Sequence, residues 1–200
     1  ECFVIEGSEH LDHAFEKGKG VIFVVSHLGS WEYLSFTPYL KGYPFCVVVR
    51  HTRNPYIHKW IEDLRTKMKN IPIDRLHAVR RVLSELQNNR LVSVLIDQWA
   101  GHEGLWVDFF GHPTATTSLP ARLARRTGAA MIPGYCVRLT PGKYKIIIQP
   151  EIPLSKDPDW EIQTTRRLNQ QLETMIRKYP EQWTWSHRRW KSLERYRMKK

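Results

Sequence analysis

The chain has nine histidines and 20 acidic residues among 200. That composition gives about one His–acid pair at a five-residue spacing by chance. The sequence holds two, His27/Glu32 and His58/Asp63. The second lies in "NPYIHKWIEDLR", a helical pattern on which a five-residue step sets side chains about 140° apart, so His58 reads as a surface residue. His27 is placed differently. It closes the apolar run "VIFVVSH" and should emerge at the carboxyl end of a sheet strand, where open α/β sheets place ligands. Gly29 permits a tight turn and close approach of a substrate. Ser30 can cap a helix beginning at Trp31, and Glu32 then falls in its first turn. Such a turn can bring the Glu32 carboxylate to one imidazole nitrogen and leave the other facing a cleft. That is the orienter and base of a triad; the competing reading is a histidine that only satisfies the core.

No protein nucleophile accompanies the pair. Ser26 precedes His27, and neighbours on a strand point to opposite faces; there is no GxSxG elbow. A base at His27 is therefore expected to activate a substrate hydroxyl. Such a hydroxyl can attack a thioester directly, because a thiolate leaves with little acid assistance.

The elements that would carry this chemistry follow from hydrophobic pattern. Apolar or β-branched runs predict strands at 3–6, 20–26, 45–50, 91–96, 130–138 and 143–149. Their continuity suggests strands covered on both faces. Helical patterns predict helices at 8–17, 31–40, 55–69, 74–89, 117–127 and 159–179. In 74–89, Leu76, Val79, Val82, Leu83 and Leu86 form one stripe, and Asp74 is placed to cap its start. The alternation argues for a single α/β domain over 1–200, with a mostly parallel or mixed central sheet flanked by helices. Residues 99–116, rich in Gly, His and aromatics, read as a long loop with a binding role. Asp97 ends the apolar strand "LVSVLI" and sets a second carboxylate at the sheet edge of His27.

Composition bounds the partners. The net charge of +11 favours an anionic one, whether phospholipid headgroups, an acidic protein or nucleic acid. The three cysteines, Cys2, Cys46 and Cys136, form no CxxC pair, which fits a reducing compartment. No metal site is expected, since no HExxH or paired His/Cys spacing occurs. No apolar segment reaches the roughly 18 residues of a membrane span, and no signal peptide opens the chain. The chain does not begin with methionine and reads as a fragment.

Four blocks, "HLGSWE", "RHTRNPYIHKWIEDLR", "DQWAGHEGLWVDFFGHPTATTSLPARLARRTGAAMIP" and "YPEQWTWSHRRWK", stand in the order seen in the late acyltransferases of lipid A biosynthesis. This resemblance to the lauroyl/myristoyl transferases, members of the lysophospholipid acyltransferase superfamily, runs from about residue 3 to residue 191. It implies a glycerolipid acyltransferase-like fold at the cytoplasmic face of the bacterial inner membrane. It also implies transfer of a fatty acyl group from the phosphopantetheine of acyl carrier protein to a hydroxyl of a Kdo-bearing lipid A precursor, with no other cofactor. Carried over by position, His27 resembles the family's general base and Glu32 its carboxylate partner, while Arg65 and Asp97 match further polar positions around the site. Family members also carry an upstream hydrophobic helix, so the resemblance implies that an N-terminal membrane anchor is missing here. A transferase for another glycolipid or phospholipid has the same features.

The remaining blocks supply binding candidates. Arg50 follows a strand and is placed to meet phosphate; an exposed strand-end charge is the equal alternative. Thr116 and Thr117 precede the helix "LPARLARR", whose free amides suit phosphate, and Arg122 follows within it. Trp106, Phe109 and Phe110 are candidates for an acyl groove, against ordinary packing. At the C-terminus Trp183, Trp185 and Trp190 alternate with Arg188, Arg189 and Lys191, a composition suited to an anionic membrane interface. It would equally suit single-stranded nucleic acid, but no RRM, KH, zinc-finger or helix-turn-helix signature supports that partner. Trp183 is expected to close the core.

Overall fold

The structure, a computed structural model, describes residues 2–35, 42–43, 45–49, 54–67, 70–74, 78–102 and 104–191. Strand β1 (Phe3–Glu6) leads into α1 (Ser8–Glu16) and β2 (Val21–Val25), followed by a 3-10 helix at Trp31–Ser35. Then come β3 (Phe45–Val49), α2 (Pro55–Lys67), β4 (Ile71–Asp74), α3 (Ala78–Gln87) and β5 (Leu91–Leu95). A hairpin of β6 (Leu105–Phe109) and β7 (His112–Thr116) precedes α4 (Leu119–Thr127), β8 (Ala130–Thr140), β9 (Lys143–Ile148) and α5 (Trp160–Lys178). Seven strands form one sheet in the order β1-β9-β8-β2-β5-β3-β4. Strands β8, β2, β5, β3 and β4 run parallel; β9 is antiparallel to β8, and β1 runs parallel to β9.

Every residue of β2, "VIFVV", is buried, because the strand lies mid-sheet with helices on both faces. Ile22 and Val24 join Leu86 of α3, Leu123 of α4 and Leu172 of α5 in one cluster. Val21, Phe23 and Val25 join Leu11, Ala14 and Phe15 of α1 in the other. The continuous apolar run is thus the mark of a doubly covered parallel strand. Cys46 and Cys136 are fully buried in these layers, whereas Cys2 is exposed.

Most predicted elements stand within two residues of their bounds, and three regions differ. Residues 71–74 form β4, so Asp74 belongs to a strand and α3 starts at Ala78; Leu76 lies outside the described residues. Pro72 masks the strand signal, yet β4 is the sheet's edge, where a missing N–H is tolerated. The stretch read as a loop contains the β6–β7 hairpin. Its turn residues Phe110 (φ 51°) and Gly111 (φ 75°) are both left-handed, the signature of a type I′ turn. Last, the helix expected at 31–40 is a 3-10 helix over 31–35, its remainder lying outside the described residues.

Candidate active site

Val25 and Leu95 are register partners on the adjacent parallel strands β2 and β5. His27 and Asp97 each follow two residues later, so they leave the sheet side by side, about 4.8 Å being the strand spacing. Register alone therefore brings the imidazole to the carboxylate. His27 Nδ1 lies 2.9 Å from Asp97 Oδ1. The His27 backbone N–H donates to Asp97 Oδ2 at 2.8 Å, and the Trp183 indole N–H donates to the same oxygen at 3.0 Å. The turn past His27 is forced by Gly29: its φ is +65°, and a Cβ there would lie 2.1 Å from the Cys136 carbonyl oxygen. That close approach is made by the backbone of β8, where the sequence suggested a substrate. Ser30 N–H then donates to Cys136 O at 2.8 Å, and Gly29 N–H to Gln182 O at 2.7 Å.

Asp97 is 2 % exposed. Burial pushes its carboxyl up, but the hydrogen bonds and charge of His27, with the Trp183 indole, outweigh burial and hold it below the ordinary carboxylate range. A carboxylate only accepts, so Nδ1 carries the imidazole proton and Nε2 keeps its lone pair. Gln98 Nε2 stands 3.4 Å from that nitrogen, and Trp31 packs edge-on against the ring with centroids 4.7 Å apart. Chemically, the arrangement can serve as a base with its orienter. Neighbouring Ser26 is buried, its Oγ without a hydrogen-bond partner among the described residues, and so offers no nucleophile.

The carboxylate at His27 Nδ1 is that of Asp97, where the spacing suggested Glu32. The 3-10 turn swings Glu32 toward α2, where Arg65 Nη2 lies 3.3 Å from its Oε1. Glu32 and Arg65 together line a cavity of about 480 Å3 whose other walls include Val25, Leu34, Phe45, Val47, Leu95 and Leu123. The pairing of β3 with β5 ends at Val47–Ser93, and Val48, Val94 and Leu95 just beyond it line the cavity too. The site therefore joins an imidazole–carboxylate pair, a guanidinium–carboxylate pair and an apolar chamber.

The other candidates are dispersed. Arg50 lies outside the described residues. Thr116 is 1 % exposed; its hydroxyl accepts from Arg189 Nη2 at 2.6 Å and Asn169 Nδ2 at 3.3 Å, so it braces the fold and does not face a ligand. Thr117 Oγ1 accepts from the Leu119 N–H at 3.2 Å. Arg122 points to solvent, 3.9 Å from Glu161. Helix α4 meets the cavity through Leu119 and Leu123. Of the aromatic candidates for a groove, Phe109 is fully buried, its ring 5.7 Å from Trp183 and 5.8 Å from Trp190. Arg189, read as part of a basic interface, has no exposed surface, and Trp183 is buried as expected. Trp185, by contrast, is 54% exposed. Among the described residues no group of three or more His, Cys, Asp or Glu side chains is placed to hold a metal ion.

A family model for bacterial lipid A biosynthesis acyltransferases matches residues 1–192. A lipid A biosynthesis acyltransferase of Haemophilus influenzae is 28% identical over 182 residues, which cover 90% of this chain and 56% of that protein. A phosphatidylinositol mannoside acyltransferase of Mycobacterium tuberculosis is 33% identical over 138 residues, 66% of this chain and 43% of that protein. A lipid A biosynthesis lauroyltransferase of Escherichia coli is 28% identical over 191 residues, 93% and 61% respectively. The match thus spans about two fifths to three fifths of the length of these relatives. Among solved structures, the 1-acyl-sn-glycerophosphate acyltransferase PlsC of Thermotoga maritima superposes with a TM-score of 0.53 at 14% identity, covering 91% of this chain and 73% of that one. That likeness concerns the fold.

Proposed function

The chain belongs to the bacterial lipid A biosynthesis acyltransferase family, and on that premise we propose that it moves a fatty acyl group from acyl carrier protein to a hydroxyl of a lipid A precursor of the Kdo-lipid IVA type. The observation that carries the chemistry is the 2.9 Å contact of His27 Nδ1 with Asp97 Oδ1 at the sheet edge. His27 Nε2 takes the proton of the acceptor hydroxyl as its oxygen attacks the thioester carbonyl. Asp97 fixes the tautomer and balances the imidazolium that forms. The carbon–sulfur bond breaks, and the thiolate of the phosphopantetheine arm leaves, taking up a proton. The apolar chamber beside Glu32 and Arg65 suits the acyl chain, and Arg65 is placed to meet negative charge at its mouth.

The surface supports a lipid-side location. Tyr56, Ile57 and Trp60 of α2 are exposed, as are Val48, Val79, Leu95 and Leu119 around the cavity. Apolar side chains gathered at one opening suit a membrane interface, and the net charge of +11 suits anionic lipid and an acidic carrier protein. Among the described residues no helix is long and apolar enough to cross a membrane. We place the chain at the cytoplasmic face of the inner membrane on this reading. The mycobacterial relative favours a second acceptor class, a phosphorylated glycolipid such as a phosphatidylinositol mannoside, through the same base.

The test is transfer from acyl carrier protein to a lipid A precursor, with products read by mass spectrometry. Replacing His27 by Ala should lower the rate about 10²- to 10⁴-fold while the circular dichroism spectrum is kept. Transfer at the native rate in that folded variant excludes the mechanism.

A further inference from the structure

The segment from Gln182 to Lys191 packs against the site from behind. Residue by residue it is laced to the two turns that carry His27 and Asp97. Leu28 and Trp183 form an antiparallel bridge, and Gln182 O accepts the Gly29 N–H at 2.7 Å. The carbonyl of His27 itself accepts from Thr184 twice, from its N–H at 3.2 Å and its hydroxyl at 3.1 Å. On the Asp97 side, His187 Nε2 accepts the Trp99 N–H at 2.9 Å. Arg189 donates from Nη1 to Gln98 O at 2.9 Å and Ala115 O at 2.7 Å, and from Nη2 to Thr116 Oγ1. Its guanidinium sits 5.2 Å from the Phe109 ring centroid.

Two of these contacts are electrostatic rather than only mechanical. Asp97 accepts three hydrogen bonds, two from His27 and one from the Trp183 indole. Among the described residues, the indole is therefore the donor outside His27 itself that competes with the imidazole for the carboxylate's charge. Arg189 is a fully buried cation within the field of Asp97; burial pulls its pKa down to about 10 and Asp97 pulls it back up, so it keeps its charge at neutral pH. A buried charge acts through a low dielectric, where screening by water is weak. Both groups draw on the negative charge that an imidazolium at position 27 needs.

We infer that the C-terminal segment Gln182–Lys191 is a positioning strap that tunes the proton affinity of His27 through Asp97, with Trp183 and Arg189 as the positioning residues. The inference rests on His27 acting as the base. The groups that bear on the pair from each packed element are Trp31 of the 3-10 helix, Gln98 of its own turn, Tyr135 of β8, whose phenol feels Asp97, and His187, Arg189 and Lys191 of the strap. Of these, Arg189 is buried and charged, and Lys191 lies over the Trp99 ring at 4.8 Å. Removing the indole donor leaves Asp97 more basic and its grip on the imidazolium tighter. Removing the guanidinium charge acts in the same sense.

The experiment is a carbon- and nitrogen-detected NMR titration of the His27 ring in the whole chain, followed by the pH profile of kcat/KM. In Trp183→Phe, which keeps an aromatic ring against Phe109, the His27 titration should move up, and the acid limb of kcat/KM with it. Arg189→Met should move it the same way. Arg189→Lys keeps the charge and loses the fork, so it should lower kcat while leaving the titration in place. The strap is only a brace, and the inference falls, if Trp183→Phe and Arg189→Met fold, lose activity or stability, and leave the His27 titration where it stands. The ring titration needs no turnover. A shifted titration in a chain that transfers no acyl group would uphold the strap and discard the acyl-transfer reading instead.

Discussion

At the scale of single residues, the site turns on which carboxylate holds the imidazole. Spacing within the motif pointed to Glu32, whereas strand register supplies Asp97, 70 residues away in sequence. Both were visible as residues: "VIFVVSH" and "LVSVLID" each run an apolar strand into one polar side chain. Their pairing was not visible, because register is a property of two segments and spacing belongs to one. The two acids therefore predict different losses. Asp97→Asn keeps the shape but removes the charge and can present an amide N–H to Nδ1, forcing the wrong tautomer. We expect kcat to fall about 10³- to 10⁴-fold. Glu32→Gln leaves the His27–Asp97 bond intact and weakens a pair whose acid side chain is 59% exposed. A loss of about tenfold or less is expected, appearing mainly in KM. Equal losses in the two variants would return the orienting role to Glu32. The same scale explains Thr116 and Arg189. A threonine before a helix and an arginine in a basic run look like ligands in a sequence, and only packing reveals that they face each other inside the fold.

Elements decide where those residues stand. The strands of the parallel sheet were legible because each is a short, uninterrupted apolar run, and α5 because its pattern is long. Strand β4 and the β6–β7 hairpin were not. The first is four residues with a proline inside, and the turn of the second uses Phe110 in a left-handed conformation that its side chain does not advertise. The turn after β2 is the element on which the site depends. It passes so close to β8 that only a hydrogen fits at position 29. Gly29→Ala is expected to cost at least ~2 kcal/mol of stability, through backbone strain and a clash with the Cys136 carbonyl. It should also cost activity, since relief of the clash displaces His27. Chemical denaturation and the transfer assay measure the two effects. A variant with native stability and rate would mean that the turn is slack.

For the molecule as a whole, the site is closed from behind by the segment Gln182–Lys191, and that closure is expected to be sensitive to acid. His187 is held below its ordinary imidazole value by burial first, with the Arg189, His27 and Lys191 charges adding to it against the pull of Asp97. Its ring nitrogen must stay unprotonated to accept the Trp99 N–H. A depressed value in the folded state means stability that is complete above the unfolded value of 6.5 and is lost as pH falls below it. Asp97, depressed from 3.8, continues the loss at lower pH. Thermal midpoints should therefore drop between about pH 7 and pH 5. The His187→Gln variant, which keeps an acceptor that does not titrate in this range, should show a shallower drop; a slope unchanged in that variant assigns the effect elsewhere.

The fit of Gly29 against Cys136 also has a practical use. The Cys136 thiol is fully buried and pushed up to about 12, and Cys46 likewise, so in the closed molecule a maleimide reaches Cys2 alone. Once Cys2 is replaced by serine, any slow alkylation of Cys136 reports a moment when the layers part beneath the histidine turn. The protein carries its own clock for that breathing, without an added label.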